Sequence, residues 1–206
     1  MPNKTPDFSF ESQYSGPVCG VDEAGRGPLA GPVVAAAVIL NSENLPKGLN
    51  DSKVLSHDVR ELLMNDIFVM CDVGIGIAEP EEIDRANILG ATMIAMQRAV
   101  ESLMNTVGEN PTVALIDGNK APPLPCPAQT LIKGDSRCLS IAAASIVAKV
   151  TRDHLMLDAD RRFPGYDFAT HKGYGTKIHR SAIQELGPCP IHRRSFNPIK
   201  MMVENG

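Results

Sequence analysis

Two adjacent carboxylates, Asp22 and Glu23, follow an apolar stretch and run directly into a turn made of Gly25, Arg26 and Gly27. Carboxylate oxygens are the ligands that Mg²⁺ and Mn²⁺ prefer in proteins. Glycine amides and an arginine side chain can both approach a phosphate closely. Such a pair and such a turn also occur for purely structural reasons, but together they favour metal-assisted phosphoryl transfer.

Two further carboxylates lie at the ends of predicted elements. Asp117 follows the short apolar run 113–116, and Asp135 precedes a long helical pattern. Successive strand residues point to opposite faces, so Asp22 and Glu23 can share a metal cluster only where their strand ends and the backbone turns. We expect the four carboxylates to surround two divalent ions about 3.5–4 Å apart. The pKa values of these carboxylates should then be raised and coupled, and activity should require added metal.

The length and composition indicate one globular unit. The chain has 206 residues and 43% hydrophobic content, enough for a full core. It has no apolar run of 18 residues, and its polar stretch 1–16 lacks a signal-peptide pattern, so we expect no membrane span, no export and a cytoplasmic location. The five cysteines form no Cys-x-x-Cys pair, which favours reduced thiols over disulfides or a zinc site.

The net charge of −4 hides an asymmetry along the chain. Residues 1–130 carry 8 basic and 17 acidic side chains, whereas residues 131–206 carry 12 basic and 7 acidic ones. A cationic C-terminal third could face a phosphate backbone while the acidic part holds cations. Ordinary solvated helices would give the same asymmetry, and charge alone does not separate the two interpretations.

Strand and helix patterns alternate, which predicts an α/β fold with a central sheet. Strands are expected over 18–22, 33–40, 71–78, 113–116 and 129–132, and helices over 56–70 with Ser56 as N-cap, across 89–103 and over 137–160. Short helices and turns follow residue 163. We therefore predict an N-terminal extension over 1–17, a catalytic domain over 18–160 and a small C-terminal subdomain over 161–206.

Seven segments between residues 18 and 197 resemble, in order, the signature segments of the bacterial ribonuclease HII family. They are 21–27 (VDEAGRG), 49–53 (LNDSK), 116–119 (IDGN), 133–135 (KGD), 140–153 (SIAAASIVAKVTRD), 171–176 (HKGYGT) and 192–196 (HRRSF). The resemblance implies a ribonuclease H-like mixed central sheet flanked by helices, with a small helical C-terminal part. Ribonuclease HIII fits less well, because only 17 residues precede the first predicted strand.

The resemblance implies a metal-dependent endoribonuclease with Mn²⁺ or Mg²⁺ as cofactor. It would cut the RNA strand of RNA/DNA hybrids and incise 5′ of single ribonucleotides in duplex DNA, leaving 3′-hydroxyl and 5′-phosphate ends. Asp22, Glu23, Asp117 and Asp135 match the family's metal-binding carboxylates. In this reading Asp135 serves the second metal and the attacking water.

The resemblance also assigns residues that contact the substrate. Gly25, Arg26 and Gly27 match a motif that reads the ribose 2′-hydroxyl and the adjoining phosphate, and the 2′-hydroxyl is the group that separates RNA from DNA. Tyr174 matches a tyrosine that stacks on the deoxyribose after a ribonucleotide. The residues expected near the phosphates are Lys53, Ser145 and Lys149.

Several alternatives stay open at the level of sequence. Tyr174 could be a half-buried turn aromatic, Arg26 a surface ion-pair partner, and Ser145 a side chain bonded to the preceding helical turn. The three histidines His171, His179 and His192 have no metal-ligand spacing and are expected to be structural or surface residues. The rival functions are a non-catalytic hybrid-binding module and another metal nuclease of the same fold, such as a junction resolvase. A monomer suffices, and a replication or repair partner cannot be read from the sequence.

Overall fold

Five strands form one mixed sheet in the computed structural model, which describes residues 5–204. The strands are β1 (Val18–Ala24), β2 (Val33–Ile39), β3 (Asp72–Ala78), β4 (Val113–Asp117) and β5 (Ala128–Leu131). Residues 1–4 of the predicted extension and 205–206 of the predicted C-terminal part lie outside the described residues. The predicted strands are therefore all present, and their bounds differ from the expected ones by one or two residues.

The sheet order is β3-β2-β1-β4-β5. The strand β2 pairs antiparallel with β1 and β3, whereas β1 is parallel to β4, and β4 is parallel to β5. The short runs of β1, β2 and β4, bounded by glycine and proline, are almost entirely buried, as suits strands that are covered on both faces. The parallel centre brings the carboxyl ends of β1 and β4 to the same edge of the sheet.

Helices cover both faces of the sheet. They are α1 (His57–Met70), α2 (Pro80–Val107), α3 (Leu139–Arg162), α4 (Phe168–His171), α5 (Lys177–Leu186) and α6 (Ile199–Glu204), with 3₁₀ turns at Glu11–Gln13 and Gly134–Ser136. The α2 core residues pack on one face, and those of α1 and α3 pack on the other. The predicted ribonuclease H-like α/β architecture is confirmed. No helix between residues 5 and 204 has both the length and the apolar character needed to cross a bilayer.

Three departures from the predicted elements have a local physical reason. The first strand continues beyond Asp22, because Glu23 and Ala24 still pair with β2. The helix α3 begins at Leu139, since residues 134–136 form a 3₁₀ turn. The helix α2 is interrupted at Asn87, whose φ of 57° is non-helical. The N-cap of α1 is as predicted, with the Ser56 hydroxyl accepting the Val59 N–H at 3.4 Å.

Glycine at position 20 lets α3 lie directly on β1. A β-carbon there would lie 2.2 Å from the carbonyl carbon of Ser140, closer than any side chain can approach backbone. Side chains two residues apart on a strand share a face, so Asp22 points to the same side of the sheet as this contact. The close approach therefore places the α3 face of the sheet directly beside Asp22.

Three histidines are buried in the C-terminal part, and two of them are joined in one chain of hydrogen bonds. The Cys189 N–H donates to His192 Nδ1 at 2.9 Å, His192 Nε2 lies 3.0 Å from His179 Nε2, and His179 Nδ1 lies 2.9 Å from the Tyr174 carbonyl. If His179 donates from Nδ1 and His192 donates from Nε2, every bond has one proton. His171 stacks on His179 with ring centroids 4.4 Å apart. A further proton would put two donors face to face, so the cluster is structural, as expected.

The histidine cluster predicts that acid destabilises the protein. Burial lowers the pKa of both His179 and His192 to about 4, although the carbonyl of Tyr174 favours the charged form of His179. The unfolded chain then binds more protons than the folded one below about pH 6.5, so stability is complete above that pH and falls toward pH 4. In thermal unfolding measured over this pH range, the Tm of His192→Gln should fall less with decreasing pH than the Tm of the wild type. The same substitution at exposed His154 should leave the decline unchanged, and equal slopes for all three proteins would contradict the prediction.

Candidate active site

Asp22 and Asp117 lie side by side at the carboxyl ends of two parallel strands. The pairing of β1 with β4 runs to Val21 and Ile116, and the two carboxylates follow directly. Asp22 is only 4% exposed. Its Oδ1 accepts the Glu23 N–H at 2.7 Å, which fixes the rotation of the carboxylate. The register of two central strands therefore brings two negative charges together.

Asp135 completes a group of three carboxylates. It lies in the 3₁₀ turn before α3, and its neighbour Gly134 donates its N–H to Asp117 Oδ1 at 2.6 Å. One oxygen of Asp22, one of Asp117 and one of Asp135 all lie within 4.8 Å of one another. The nearest cationic group is Lys53, whose Nζ lies 3.0 Å from Asp135 Oδ2 and 3.7 Å from Asp51.

Glu23 lies at the edge of this group rather than within it. Because β1 continues to Ala24, Glu23 and Asp22 still point to opposite faces of the sheet. Glu23 Oε1 accepts a hydrogen bond from Arg26 Nη1 at 3.2 Å. The same carboxylate lines a second cavity, of about 270 Å³, together with Met93 of α2 and Asp117. Glu23 and Asp117 thus line both this cavity and the one on the Asp22 side.

The turn after β1 is held by one buried arginine from the C-terminal part. The guanidinium of Arg193 donates to the carbonyls of Gly25 at 2.5 Å, Arg26 at 2.9 Å and Gly31 at 2.9 Å. Gly25 has a φ of +96°, a conformation that favours glycine. Arg193 binds the carbonyls of the turn, and the Arg26 side chain lies at the rim of the cavity.

Tyr174 stands beside this turn. A β-carbon at Gly27 would lie 3.6 Å from the Tyr174 ring, so the ring and the turn are in contact distance. The ring is 47% exposed, while the backbone is fixed by His171, which accepts the Tyr174 N–H at 2.9 Å, and by His179. Tyr174 is therefore a half-exposed aromatic on an anchored turn.

The remaining predicted residues line the wall formed by α3 and the loop before α1. Ser145 is buried, and its hydroxyl lies 2.7 Å from that of Ser52, so it does not simply bond to the preceding helical turn. Lys149 Nζ donates to Asp153 at 2.6 Å. Every predicted site residue except Asp135 lines one cavity of about 300 Å³. Asp135 accepts a hydrogen bond from Lys53, which lines that cavity.

Comparison with known proteins identifies the family. A family model described as Ribonuclease HII matches residues 19–199. The chain belongs to the ribonuclease HII family. It is 52% identical over 200 residues to "Ribonuclease HII" of Zymomonas mobilis, covering 97% of this chain and 93% of that one. It is 56% identical over 189 residues to "Ribonuclease HII" of Maricaulis maris, covering 91% of this chain and 85% of the relative. The chain is thus an enzyme of a metal-dependent hydrolase family, as predicted.

Solved structures of the same family and of ribonuclease HIII share the fold. A ribonuclease HII in complex with PCNA from Archaeoglobus fulgidus superposes with a TM-score of 0.72 at 24% identity, covering 88% of this chain and 95% of that one. Ribonuclease H2 of Pyrococcus horikoshii gives 0.70 at 24% identity, covering 92% and 98%. The Bst-RNase HIII complex with Mn²⁺ gives 0.70 at 19% identity, covering 100% and 74%. At these identities the likeness shows the fold alone.

The carboxylate group of this ribonuclease HII family member fits a hard divalent cation. Burial, and then repulsion from Glu23 and Asp117, raises the pKa of Asp22 well above its usual range. Burial also raises the pKa values of Glu23 and Asp117. An all-oxygen donor set that repels itself in this way is relieved by Mg²⁺ or Mn²⁺. The predicted rise of the pKa is confirmed in direction for these three carboxylates.

Two buried arginines of the site were not identified from the sequence. Arg193 holds the glycine turn, and Arg152 donates to the carbonyls of Pro32 at 3.0 Å, Lys172 at 2.9 Å and Ala30 at 3.1 Å. Burial lowers the pKa of Arg152 to about 10 and that of Arg193 to about 9. Both lie in segments that resemble the family, but no spacing rule indicates which distant carbonyls a guanidinium binds.

Removal of one carboxylate should stabilise the metal-free protein. In Asp22→Asn the amide oxygen can still accept the Glu23 N–H, while a buried negative charge is lost. A carboxylate whose folded pKa is raised favours folding only at acid pH, so the variant should gain stability above about pH 4, by about 2–4 °C in Tm for each kcal/mol relieved.

The measurement is thermal unfolding at pH 8 in EDTA and in Mn²⁺. Mn²⁺ should raise the Tm of the wild type more than that of Asp22→Asn, because the variant has lost a ligand. Exposed Asp66→Asn is the matched control, with both Tm values close to wild type. A lower Tm for Asp22→Asn than for wild type in EDTA would contradict the prediction.

Proposed function

We propose that this enzyme hydrolyses the RNA strand of RNA/DNA hybrids and incises duplex DNA on the 5′ side of a single embedded ribonucleotide. The products carry 3′-hydroxyl and 5′-phosphate ends. The observation that carries the proposal is a group of three carboxylates, two of which line the same cavity as an anchored Gly-Arg-Gly turn. Both of the relatives described above are named "Ribonuclease HII", which supports the same activity.

Asp22, Asp117 and Asp135 are proposed to hold the divalent metals, with Glu23 joining them from the edge of the group. Bound Mg²⁺ or Mn²⁺ would supply a water of lowered pKa and stabilise the charge that develops at phosphorus. Asp22 and Asp117 are fixed by hydrogen bonds from Glu23 N and Gly134 N, so their oxygens need little rearrangement to bind. Asp135 can accept a proton from the attacking water once Lys53 turns toward a phosphate.

The glycine turn is proposed to recognise the ribose. The carbonyls of Gly25 and Arg26 are engaged by Arg193, so the N–H groups of this turn are held in place to meet a 2′-hydroxyl, which can both donate and accept. Arg26 pairs with Glu23 across the cavity rim and can reach a phosphate there. Tyr174, next to Gly27, is positioned to stack on the sugar of the next nucleotide.

The basic side of the cavity is proposed to bind the cleaved strand. Lys53 and Lys149 are each paired with a carboxylate in the protein, and a phosphate offers both a competing anionic partner. Ser145, bonded to Ser52, supplies a hydroxyl on the same wall. We infer a monomeric, cytoplasmic enzyme whose catalytic domain covers 18–160, with 1–17 as an N-terminal extension and 161–206 as a small C-terminal subdomain.

Cleavage of defined duplexes tests the proposed activity. An end-labelled DNA duplex with one ribonucleotide should be cut only on the 5′ side of that nucleotide, and only with Mg²⁺ or Mn²⁺. Asp117→Asn should bind the duplex with unchanged affinity but cut at least about a hundredfold more slowly, because a metal ligand is lost. Asp66→Asn is the surface control and should cut at the wild-type rate.

Three outcomes would contradict the proposal. Undiminished turnover of Asp117→Asn would remove the carboxylates from the mechanism. Equal cutting of an all-DNA branched duplex would favour another nuclease of the same fold. Tight, salt-sensitive binding without cleavage in either metal would favour a hybrid-binding module.

Tyr174 should determine the preference for a ribonucleotide followed by DNA. Because the ring contact with the sugar is lost, Tyr174→Ala should lower kcat/KM for the embedded ribonucleotide about tenfold, which corresponds to about 1.4 kcal/mol of transition-state stabilisation. Tyr174→Phe keeps the ring and should stay near wild type. The ratio of kcat/KM for this duplex to that for a continuous RNA strand is the measurement, and an unchanged ratio in Tyr174→Ala would remove Tyr174 from substrate discrimination.

A further inference from the structure

Residues 7–14, which we term the N-terminal strap, lie across the beginning of α3. Asp7 forms a parallel bridge with Cys138, in which the Asp7 N–H donates to the Arg137 carbonyl at 3.3 Å and the Leu139 N–H donates to the Asp7 carbonyl at 3.2 Å. The ring of Phe10 lies under the guanidinium of Arg137, 5.1 Å from its centre. The strap therefore contacts the backbone on both sides of the helix start.

The strap also supplies a cap that α3 lacks. Cys138, at the N-cap position, makes no capping hydrogen bond to the first turn, and that turn contains no acidic residue. The carboxylate of Glu11 takes this place, because its Oε1 accepts the Ser140 N–H at 2.7 Å and the Cys138 thiol at 3.1 Å. Carboxylates at a helix N-terminus are favoured by the free N–H groups and by the helix dipole.

Burial of Glu11 has a cost that packing alone does not explain. The residue is 4% exposed, and its Oε2 has no hydrogen-bond partner. A half-satisfied carboxylate away from water is unfavourable, and an apolar side chain would fill the same space without that penalty. What Glu11 supplies in return is its hydrogen bond from the Ser140 N–H at the start of α3.

The capped residues connect directly to the metal-site carboxylates. The Gly134 carbonyl accepts the N–H groups of Arg137 at 2.9 Å and Cys138 at 2.8 Å, and the Gly134 N–H donates to Asp117 Oδ1. Asp135 lies inside this same turn. A shift of the α3 start would move Asp135 and the donor to Asp117 together.

We propose that Glu11 is a positioning residue for Asp135 and Asp117, so the N-terminal strap is part of the metal site's support. This inference rests on the proposed function only in taking these carboxylates as metal ligands. Glu11 is not one of the three grouped carboxylates and lines neither of the two cavities beside them. Residues that orient metal ligands from outside typically change metal affinity about 10–100-fold when they are removed.

The test compares Glu11→Ala and Glu11→Gln with Tyr14→Phe, a strap variant that loses only the hydroxyl bond to Gln129. Calorimetric titration of the folded, full-length proteins with Mn²⁺ should show about tenfold weaker binding for Glu11→Ala. Glu11→Gln should lie between, since its amide oxygen still accepts from Ser140 but carries no charge. Tyr14→Phe should bind Mn²⁺ as the wild type does.

Two further readouts separate positioning from a general loss of stability. Amide hydrogen exchange at Ser140 and Gly134 should accelerate in Glu11→Ala, while exchange in β2 stays unchanged, and hybrid binding in EDTA should equal that of the wild type. Wild-type Mn²⁺ affinity in Glu11→Ala, or equal weakening in Tyr14→Phe, would overturn the proposal. If Glu11→Ala does not fold, an unchanged affinity in Glu11→Gln overturns it. If the wild type cuts no hybrid, the proposed function fails, while Mn²⁺ affinity and exchange still decide the role of Glu11.

Discussion

Repulsion between carboxylates that two parallel strands force together is the constraint on which this structure depends. Asp22 and Asp117 follow directly on a paired Val21 and Ile116, so the sheet register sets their separation. A slip of one residue would turn either side chain to the opposite face. The buried core of the sheet makes such a slip costly, and the folding free energy of the whole domain thereby holds two like charges in place.

The protein offsets that repulsion with contacts from distant parts of the chain. Lys53 brings a cation to Asp135, and the backbone N–H of Gly134 meets Asp117. The loops that surround the carboxylates are fixed by Arg152 and Arg193, whose guanidinium groups donate hydrogen bonds to backbone carbonyls. These bonds offset part of the free-energy cost of burying the two positive charges. Loops that are fixed in this way keep the groups around the carboxylates in one orientation.

Much of the architecture could be predicted because it depends on local patterns. Alternating strand and helix periods indicated the sheet and the long helices, and Ser56 signalled a helix start that the structure confirms. The place of Glu23 could not be predicted, since it depends on whether β1 ends at Asp22 or two residues later, and pairing with β2 decides this. Arg193 and Glu11 form hydrogen bonds with backbone groups more than a hundred residues away in the sequence. The hydrophobic periodicity of the sequence does not indicate which backbone groups these side chains will contact.

The anchoring of the glycine turn by Arg193 has a consequence for synthesis of the chain. The turn at Gly25 is synthesised 168 residues before Arg193, the residue that binds its carbonyl. Until that residue emerges, the carbonyls of the turn have no guanidinium to bind, and the loop can sample other conformations. A nascent chain that already contains Asp22 and Asp117 thus lacks the anchor of the turn beside them, so synthesis as far as Arg193 is itself a step in assembling the candidate site.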